Sequence, residues 1–328
     1  MKSRPMKIVF LMSMPRSGST LIQRVLAGHS AVATRTEPWL LLPLLYMTRG
    51  GVFSEYAHRH SSRAVREFIA SVPDGEKRFD RCVRTFVYSM YEAACTGQED
   101  YFLDKSPRYS LIADHLLEVF PEEKFILVWR NPLSLVSSII RTWSRDRFFF
   151  WGSMTDLYEG FETLFNAWVA NPERFLALRY EDFVQDSETT LRKITTYLDV
   201  EYDPALLEKF HETSLDGFYG DKTGYERYRA IDSEPARKWK ETIDNPFRKY
   251  WCRKYLEWIG RERLAAMGYS LDELLDELRG NPSRKPWRTV TDFLYYCGAT
   301  LVRLFEPFVF LYKVRKIKNG ITRLPFLS

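Results

Sequence analysis

Residues 7–20 read KIVFLMSMPRSGST and decide the fold. The apolar run Lys7–Met12 is typical of a strand that is buried on both faces. Pro15 and Gly18 then predict a tight loop, and Thr20–Gly28 has the pattern of a helix. Because the helix follows the loop directly, its N-terminal N–H groups and positive dipole end point to the same place. The stretch therefore predicts a strand, an anion-binding loop and a helix.

The loop also carries side chains that suit a phosphate. Arg16 supplies a fixed cation, and hydroxyl donors stand at Ser17, Ser19 and Thr20. The ATP-binding pattern Gly-x-x-x-x-Gly-Lys-Ser/Thr places a lysine on the β- and γ-phosphates. Aligning Gly18 on its second glycine puts Ser13 at the first glycine and Ser19 at the lysine. The missing lysine disfavours Mg²⁺-assisted ATP hydrolysis, and an ordinary serine-rich turn is the bland alternative.

Short apolar runs alternate with helical patterns along the chain. Strands are predicted at Tyr101–Leu103, Lys124–Trp129 and Arg174–Arg179, and helices at Ser187–Leu198 and Phe247–Met267. This alternation predicts an α/β fold, a P-loop-like parallel sheet flanked by helices, with a helical C-terminal extension. The Pro-rich stretch 281–286 is the best linker candidate. It divides the chain into a catalytic domain, residues 1–280, and an extension, residues 281–328.

A second pattern lies where the strand Lys124–Trp129 ends. Arg130 follows the strand directly, and Ser138 comes eight residues later in a helix that Pro132 begins. Nucleotides bind at the carboxyl edge of sheets of this kind, so both side chains can face that edge. Ser137 is a neighbouring hydroxyl that sequence alone does not separate from Ser138.

These two patterns together resemble the sulfotransferases that use 3′-phosphoadenosine 5′-phosphosulfate (PAPS). The loop Pro15–Thr20, PRSGST, is similar to the 5′-phosphosulfate loop of that family, and Arg130 with Ser138 to its pair on the 3′-phosphate. The resemblance covers residues 7–240. It implies PAPS as co-substrate and the following cofactor contacts: Arg16, Ser17, Gly18, Ser19, Thr20, Arg130 and Ser138.

The general base is also suggested by the resemblance. Asp104–Tyr109 lacks the histidine of the Lys-Thr-His element in cytosolic small-molecule enzymes, and resembles the Lys-Ser/Thr-Pro element of glycan and tyrosylprotein sulfotransferases. Several of those branches use a glutamate after the first helix, and Glu37-Pro38 stands in that place. The resemblance therefore implies Glu37 as the base. Lys105 is expected to contact the sulfonate or the acceptor, or to pair with Asp104.

The implied reaction is direct transfer of the sulfuryl group to an acceptor hydroxyl, with Glu37, Arg16 and Lys105 as catalytic residues. No metal is needed, because Arg16 and the loop donors can stabilise the departing phosphate. The resemblance of the Glu-Pro element to those branches implies a glycan or glycolipid acceptor. The aromatic run Arg147–Trp151 is either a wall of the acceptor pocket or part of the core. The alternatives are a P-loop-type phosphotransferase and a non-catalytic nucleotide-binding protein.

Two further matches are weaker. Arg179–Asp182, RYED, resembles a strand-end element for which we expect a structural role. The basic segment Arg237–Lys240 follows a loop with Lys222, Gly224 and Tyr225. It resembles a basic segment of the family that closes over the nucleotide; the alternative is a solvent-exposed run of charges.

The charge of the chain is uneven. Its 48 Lys and Arg against 43 Asp and Glu give +5, but residues 284–328 hold nine basic and two acidic residues, a net +7. The remaining 39 basic and 41 acidic residues give −2, so we expect no nucleic-acid partner. The tail is either an anchor on an anionic membrane surface or a helical pair packed on the body or on a second subunit. Oligomeric state is not predicted.

The cysteines and the N-terminus indicate the compartment. Four cysteines lie far apart without a C-x-x-C pair, which disfavours zinc ribbons and a disulfide framework. The apolar segment Met6–Ser13 is too short for a secretory leader and leads straight into the loop. We therefore expect a cytoplasmic protein, peripheral on the membrane face if the tail is an anchor.

Overall fold

The computed structural model describes residues 5–47, 58–212 and 238–305 together with 310, 311 and 314, the side chains of 58–61 excepted. Five strands of this part form one parallel sheet in the order β2-β3-β1-β4-β5. The strands are β1 (Lys7–Ser13), β2 (Val32–Thr34), β3 (Tyr101–Asp104), β4 (Lys124–Trp129) and β5 (Phe175–Arg179). The predicted α/β class with a parallel sheet is confirmed.

Helices surround this sheet. The α-helices of the first half are α1 (Ser19–Ala27), α2 (Leu41–Leu45), α3 (His58–Ser71), α4 (Gly75–Ala93), α5 (Ala113–Val119), α6 (Pro132–Trp143) and α7 (Phe161–Ala170). Those that follow are α8 (Tyr180–Gln185), α9 (Ser187–Leu198), α10 (Ala205–Lys209), α11 (Trp239–Thr242), α12 (Pro246–Ile259), α13 (Arg261–Ala266), α14 (Leu271–Gly280) and α15 (Arg288–Phe305). Short 3₁₀ turns lie at Pro107–Ile112, Trp151–Ser153 and Pro172–Arg174, and a π turn at Asp156–Gly160.

Most predicted elements lie within two residues of the observed ones, and two differences are informative. Strand β2 was not predicted, because three residues are too few for a periodic pattern. The single long helix expected over Phe247–Met267 is two helices, α12 and α13. Gly260 lies between them with a φ of 84°, a left-handed conformation that an α-helix does not accommodate.

Strand β1 is covered on both faces, as its apolar run predicts. Phe10 on one face packs against the ring of Phe125 at 5.2 Å between centroids. Val9 and Leu11 on the other face belong to a cluster with residues of α1 and α9. Alternate side chains of a strand point to opposite faces, so an unbroken apolar run requires two covering layers. The central strand, and the loop that follows it, are therefore held rigidly.

The C-terminal helix α15 packs on the body through a buried ion-pair network. Arg248 of α12 is fully buried and donates from Nε to Oδ2 of buried Asp292 at 2.7 Å. Asp146 accepts from Arg248 Nη1 at 3.0 Å and from Arg288 Nη1 at 2.6 Å. One side of the helix 288–305 therefore packs on the body, which is one of the alternatives that the sequence predicts for the extension. The division at residue 280 stays a prediction, and 306–309, 312–313 and 315–328 lie outside the described residues.

No helix in the described part of the chain is long and apolar enough to cross a membrane.

We expect Asp292→Ala to reduce the free energy of unfolding by about 3–5 kcal/mol, because it leaves a buried arginine without its main partner. Urea unfolding measures this. Glu159→Ala is the control, since it breaks the exposed Arg303–Glu159 pair and should cost about 1 kcal/mol or less. Equal small losses in both variants would contradict a structural role for the network.

Candidate active site

The loop between β1 and α1 is fixed by backbone conformation and by a close contact. Arg16 and Gly18 have φ values of 69° and 87°, both left-handed. A Cβ added at Gly18 would lie 2.2 Å from Cδ2 of Tyr180, the first residue after β5. Glycine is therefore required at position 18 both for its φ and for the space.

This loop has the features of an anion cradle. No described side chain caps the N-terminus of α1, so its first N–H groups face outward. Ser17 Oγ is buried and has no hydrogen-bond partner among the described residues. Ser13 Oγ donates to Ser19 Oγ at 2.9 Å, which turns the Ser19 hydroxyl towards the strand end. The backbone donors and the orphaned Ser17 hydroxyl fit a phosphate group.

Arg130 and Ser138 lie at the same loop. Ser13 of β1 pairs with Val128 of β4, so the register sets the end of β4 beside the start of the loop. Arg130 Nη1 donates to the Arg16 carbonyl at 2.8 Å, and Arg16 Nε donates to Ser138 Oγ at 3.2 Å. The structure therefore brings together two patterns whose arginines, Arg16 and Arg130, are 114 residues apart in sequence.

The neighbouring Ser137 has a different role. Its Oγ is buried and donates to Thr242 Oγ1 of α11 at 2.9 Å. Ser137 thus joins two helices, while Ser138 contacts Arg16. Of the two hydroxyls that the sequence left open, the structure places Ser138 at the loop.

Glu37 and Lys105 form an ion pair beside the loop. Lys105, directly after β3, is fully buried and donates from Nζ to Glu37 Oε1 at 2.6 Å. The same Nζ lies 3.4 Å from Thr20 Oγ1 at the start of α1. The predicted base, the predicted catalytic lysine and the loop therefore meet at one point. The sequence expectation had named the sulfonate, the acceptor or Asp104 as the lysine's partner, but not Glu37.

Trp39 completes the surroundings of Glu37. Its indole Nε1 donates to Glu37 Oε2 at 3.1 Å, so each carboxylate oxygen accepts one bond and keeps lone-pair capacity. Trp39 has a φ of 55°, an uncommon conformation for a bulky residue that concentrates at functional sites. Its N–H donates to Ser106 Oγ at 3.3 Å, which holds this turn against the strand end of β3.

A sequence profile described as "Sulfotransferase family" matches residues 9–204. The chain belongs to the sulfotransferase family. The matched region contains the loop, Glu37, Lys105, Arg130 and Ser138, that is, every site residue that the sequence predicts.

Two relatives match parts of the chain. Nodulation protein NoeE of Sinorhizobium fredii (strain NBRC 101917 / NGR234) is 36% identical over 141 residues, which cover 42% of this chain and 32% of that protein. Protein-tyrosine sulfotransferase 1 of Danio rerio is 24% identical over 225 residues, 66% of this chain and 59% of that protein. The matches span less than two thirds of either relative.

A solved structure shares the sulfotransferase fold. The sulfotransferase domain from the curacin biosynthetic pathway aligns with a TM-score of 0.54 over 78% of this chain and 98% of that domain, at 22% identity. The alignment supports the fold that the sheet order describes.

The RYED element packs against the outer side of the loop after β1. The Tyr180 ring lies against Gly18, and the Arg130 guanidinium stands 4.6 Å from the centroid of the same ring. Glu181 accepts from Asn131 N at 3.0 Å and from the Tyr269 hydroxyl at 2.6 Å. These contacts are the structural role expected for the element.

The late basic segment is only partly described. Lys222, Gly224, Tyr225 and Arg237 lie outside the described residues. Trp239 is buried, and Lys240 pairs with Glu277 at 3.2 Å. In the described ranges, no group of three or more His, Cys, Asp or Glu side chains is placed to hold a metal ion.

An apolar pocket of about 500 Å³ lies beside Trp39. Aromatic and aliphatic side chains dominate its wall, with one ion pair at its edge; the lining is Trp39, Leu42, Pro43, Tyr46, Leu111, Gly152, Thr155 and the pair Arg108–Asp156. None of the residues of the aromatic run Arg147–Trp151 is among those that line this pocket. Phe148 and Phe150 are buried and pack on Trp251, so they belong to the core.

Sequence reasoning missed two residues that position Glu37. Gln23 of α1 is fully buried, and its Nε2 lies within 3.0 Å of Thr34 Oγ1 and of the carbonyls of Arg35 and Thr36. It ties the segment before Glu37 to the helix of the phosphate loop. The sequence carried one signal for this role of Gln23: a long polar side chain stands among the apolar residues of α1.

Asp104, which the sequence analysis named only as a partner for Lys105, is the other residue whose positioning role was missed. Its buried carboxylate accepts from the Tyr91 hydroxyl and from Ser106 Oγ at 3.1 Å. Ser106 in turn receives the Trp39 N–H, so Asp104 supports the turn that carries Trp39. Burial raises the pKa of Asp104 to about 6, and the hydrogen bonds from Tyr91 and Ser106 oppose this shift.

The raised pKa of Asp104 gives a pH-dependent stability. The folded state binds this proton more tightly than the unfolded chain, whose aspartate pKa is near 3.8. The stabilising contribution is therefore complete below pH about 4 and is lost as pH rises through about 6. We expect the free energy of unfolding of the wild type, minus that of Asp104→Asn, to fall by up to about 3 kcal/mol between pH 4 and 7. Urea titrations at several pH values measure this, and a constant difference would contradict it.

Proposed function

We propose that this chain transfers a sulfuryl group from PAPS to a hydroxyl of a glycan or glycolipid. When bound, the donor supplies a sulfuryl group on a phosphate, so the acceptor oxygen gains the sulfur and the phosphate keeps the electron pair of the broken bond. The observation that carries the proposal is the position of Lys105. Its Nζ contacts both Glu37, at 2.6 Å, and Thr20 of the phosphate loop, at 3.4 Å.

The donor would be held by two sets of cations and hydroxyls. Arg16, the N–H groups at the start of α1 and the buried Ser17 hydroxyl would bind the 5′-phosphosulfate side. Arg130 and Ser138 would bind the 3′-phosphate and so select PAPS over ordinary nucleotides. The contacts between Arg130 and the Arg16 carbonyl, and between Arg16 and Ser138, support a common anion site.

Glu37 would act as the general base. One Oε1 lone pair is used by Lys105 and one Oε2 lone pair by Trp39, so the carboxylate retains a site for the acceptor proton. A base must lie within hydrogen-bond reach of the proton it takes. The pocket beside Trp39 adjoins Glu37 through this indole, and we assign the acceptor to that pocket.

Lys105 couples the two halves of the reaction. While Glu37 is ionised, the ammonium and carboxylate charges compensate each other in a nearly dry environment. When Glu37 takes the acceptor proton, the lysine charge becomes uncompensated. At that moment negative charge grows on the leaving phosphate, and a cation beside the loop stabilises it.

The acceptor class rests on the Glu-Pro element and on the pocket. Sugar rings and lipid chains both pack on aromatic surfaces such as Trp39 and Tyr46. A relative bears the name protein-tyrosine sulfotransferase, so a tyrosine peptide belongs in the same acceptor screen. A cytoplasmic location with peripheral membrane association stays a prediction from sequence.

Two alternatives remain distinguishable by experiment. A phosphotransferase would need the ATP-gripping lysine, yet position 19 is a serine turned towards Ser13. A non-catalytic nucleotide-binding protein would tolerate loss of Glu37. Thermal-shift measurements with ATP–Mg²⁺ and with adenosine 3′,5′-bisphosphate separate the first alternative from the proposal, since only the bisphosphate should stabilise the protein.

We expect Glu37→Gln to lower turnover by at least about 100-fold while adenosine 3′,5′-bisphosphate binding is retained, because glutamine cannot take the acceptor proton. The measurement is transfer of labelled sulfate from PAPS to a panel of glycans, glycolipids and tyrosine peptides. Glu122→Gln, which alters an exposed carboxylate, is the matched control. Wild-type turnover in Glu37→Gln would show that the base is wrongly assigned.

The two adjacent serines provide a test of the 3′-phosphate site. Ser138→Ala should weaken binding of adenosine 3′,5′-bisphosphate about 10-fold or more, since it removes a hydrogen bond to a charged group. Ser137→Ala should leave that affinity unchanged and lose only its bond to Thr242. Calorimetry with the bisphosphate and with adenosine 5′-phosphosulfate, which lacks the 3′-phosphate, compares them. Equal affinity of Ser138→Ala and wild type for the bisphosphate would refute the assignment.

A further inference from the structure

Helix α15 presents a continuous apolar stripe to solvent. Its members recur at spacings of three, four and seven residues, so they share one side of the helix. We name this stripe the outer face; it consists of Val290, Phe293, Leu294, Leu301, Leu304 and Phe305, which are 49–75% exposed. Trp287, just before the helix, is 71% exposed.

The opposite side of α15 carries the charges of the helix and binds the body. Arg288 pairs with Asp146 and buried Asp292 with Arg248. Arg303 pairs with Glu159 at 3.1 Å. The outer face therefore contains no charged residue. A surface helix normally has the reverse arrangement, with apolar residues inward, and an exposed apolar stripe marks an interaction surface.

We infer that the outer face docks on an anionic lipid bilayer, with α15 lying in the plane of the interface. Residues 284–328 hold nine basic residues and two acidic ones; Lys285, Arg288 and Arg303 are paired with carboxylates of the body and Asp292 with Arg248, which leaves six basic residues and one acidic residue in this stretch. Basic residues flanking an apolar helix face complement anionic headgroups, and exposed Trp287 suits the headgroup level.

Charge argues against a second copy of the chain on this face. A symmetric interface would bring together two extensions of net +7, which repel each other, whereas an anionic leaflet attracts both. Over its described residues the helix is not apolar enough to span, since it carries Arg288, Asp292 and Arg303, and these charges are paired with the body. Only the outer face of helix α15 can therefore enter the bilayer interface.

The docking surface adjoins elements of the pocket. Helix α15 packs on the turn Trp151–Ser153, and Arg303 binds Glu159 in the π turn Asp156–Gly160. Gly152 and Asp156 of these turns line the pocket beside Trp39. Provided that the proposed function holds, docking brings the active site close to acceptors held in the bilayer.

Vesicle co-sedimentation of the full chain tests the inference without donor or acceptor, so its outcome is independent of the proposed reaction. The variant Leu294→Gln/Leu304→Gln removes apolar area and keeps the charge. With vesicles of phosphatidylcholine and phosphatidylserine, we expect it to bind about 10-fold more weakly than the wild type or worse. Phosphatidylcholine alone, or high salt, should weaken wild-type binding.

Two controls make the result decisive. Phe68→Gln/Val169→Gln changes apolar residues that are 69% and 53% exposed on other helices and should bind vesicles like the wild type. Thermal unfolding shows whether each variant is folded. Equal vesicle binding by the outer-face variant and the wild type would overturn the inference. So would a wild-type dimer, seen by light scattering, that the outer-face variant converts to a monomer.

Discussion

The contact between the Tyr180 ring and the backbone of Gly18 holds three strand ends together. Gly18 belongs to the loop after β1, and Tyr180 follows β5. The Arg130 guanidinium, at the end of β4, lies over the same ring at 4.6 Å from its centroid. The Tyr180 side chain thus packs against the loop that would bind the donor and limits its conformation. A parallel sheet makes this possible because all its strands end at one edge.

The second half of the site depends on polar groups buried below Glu37. Gln23 ties the preceding segment to α1, and Asp104 supports the turn at Trp39 through Ser106. Gln23 lies on α1 and Asp104 on β3, the two elements next to Lys105. Hydrogen bonds as well as opposite charges therefore fix the positions of Glu37 and Lys105 relative to each other. An ion pair held in this way needs little reorganisation when a proton moves.

Sequence patterns predicted the loop, the position of Arg130 at a strand end and four of the five strands, because glycine, proline and unbroken apolar runs act locally. They did not predict β2, the break at Gly260 or the partner of Lys105. The first is too short for a pattern, and the last is set by the register of β3 beside β1, which no local signal carries. Likewise, the hydroxyls of Ser137 and Ser138 could be told apart only once α11 was seen to occupy one of them.

The buried bond between Arg248 and Asp292 has a consequence for the handling of the protein. A truncation that removes the apolar extension to improve solubility would also leave a charged guanidinium inside the body without its partner. Helix α15 thus carries both the apolar outer face and a residue on which the stability of the protein depends. A purification that covers the outer face with detergent or lipid would leave this ion pair intact, whereas a shorter chain would not.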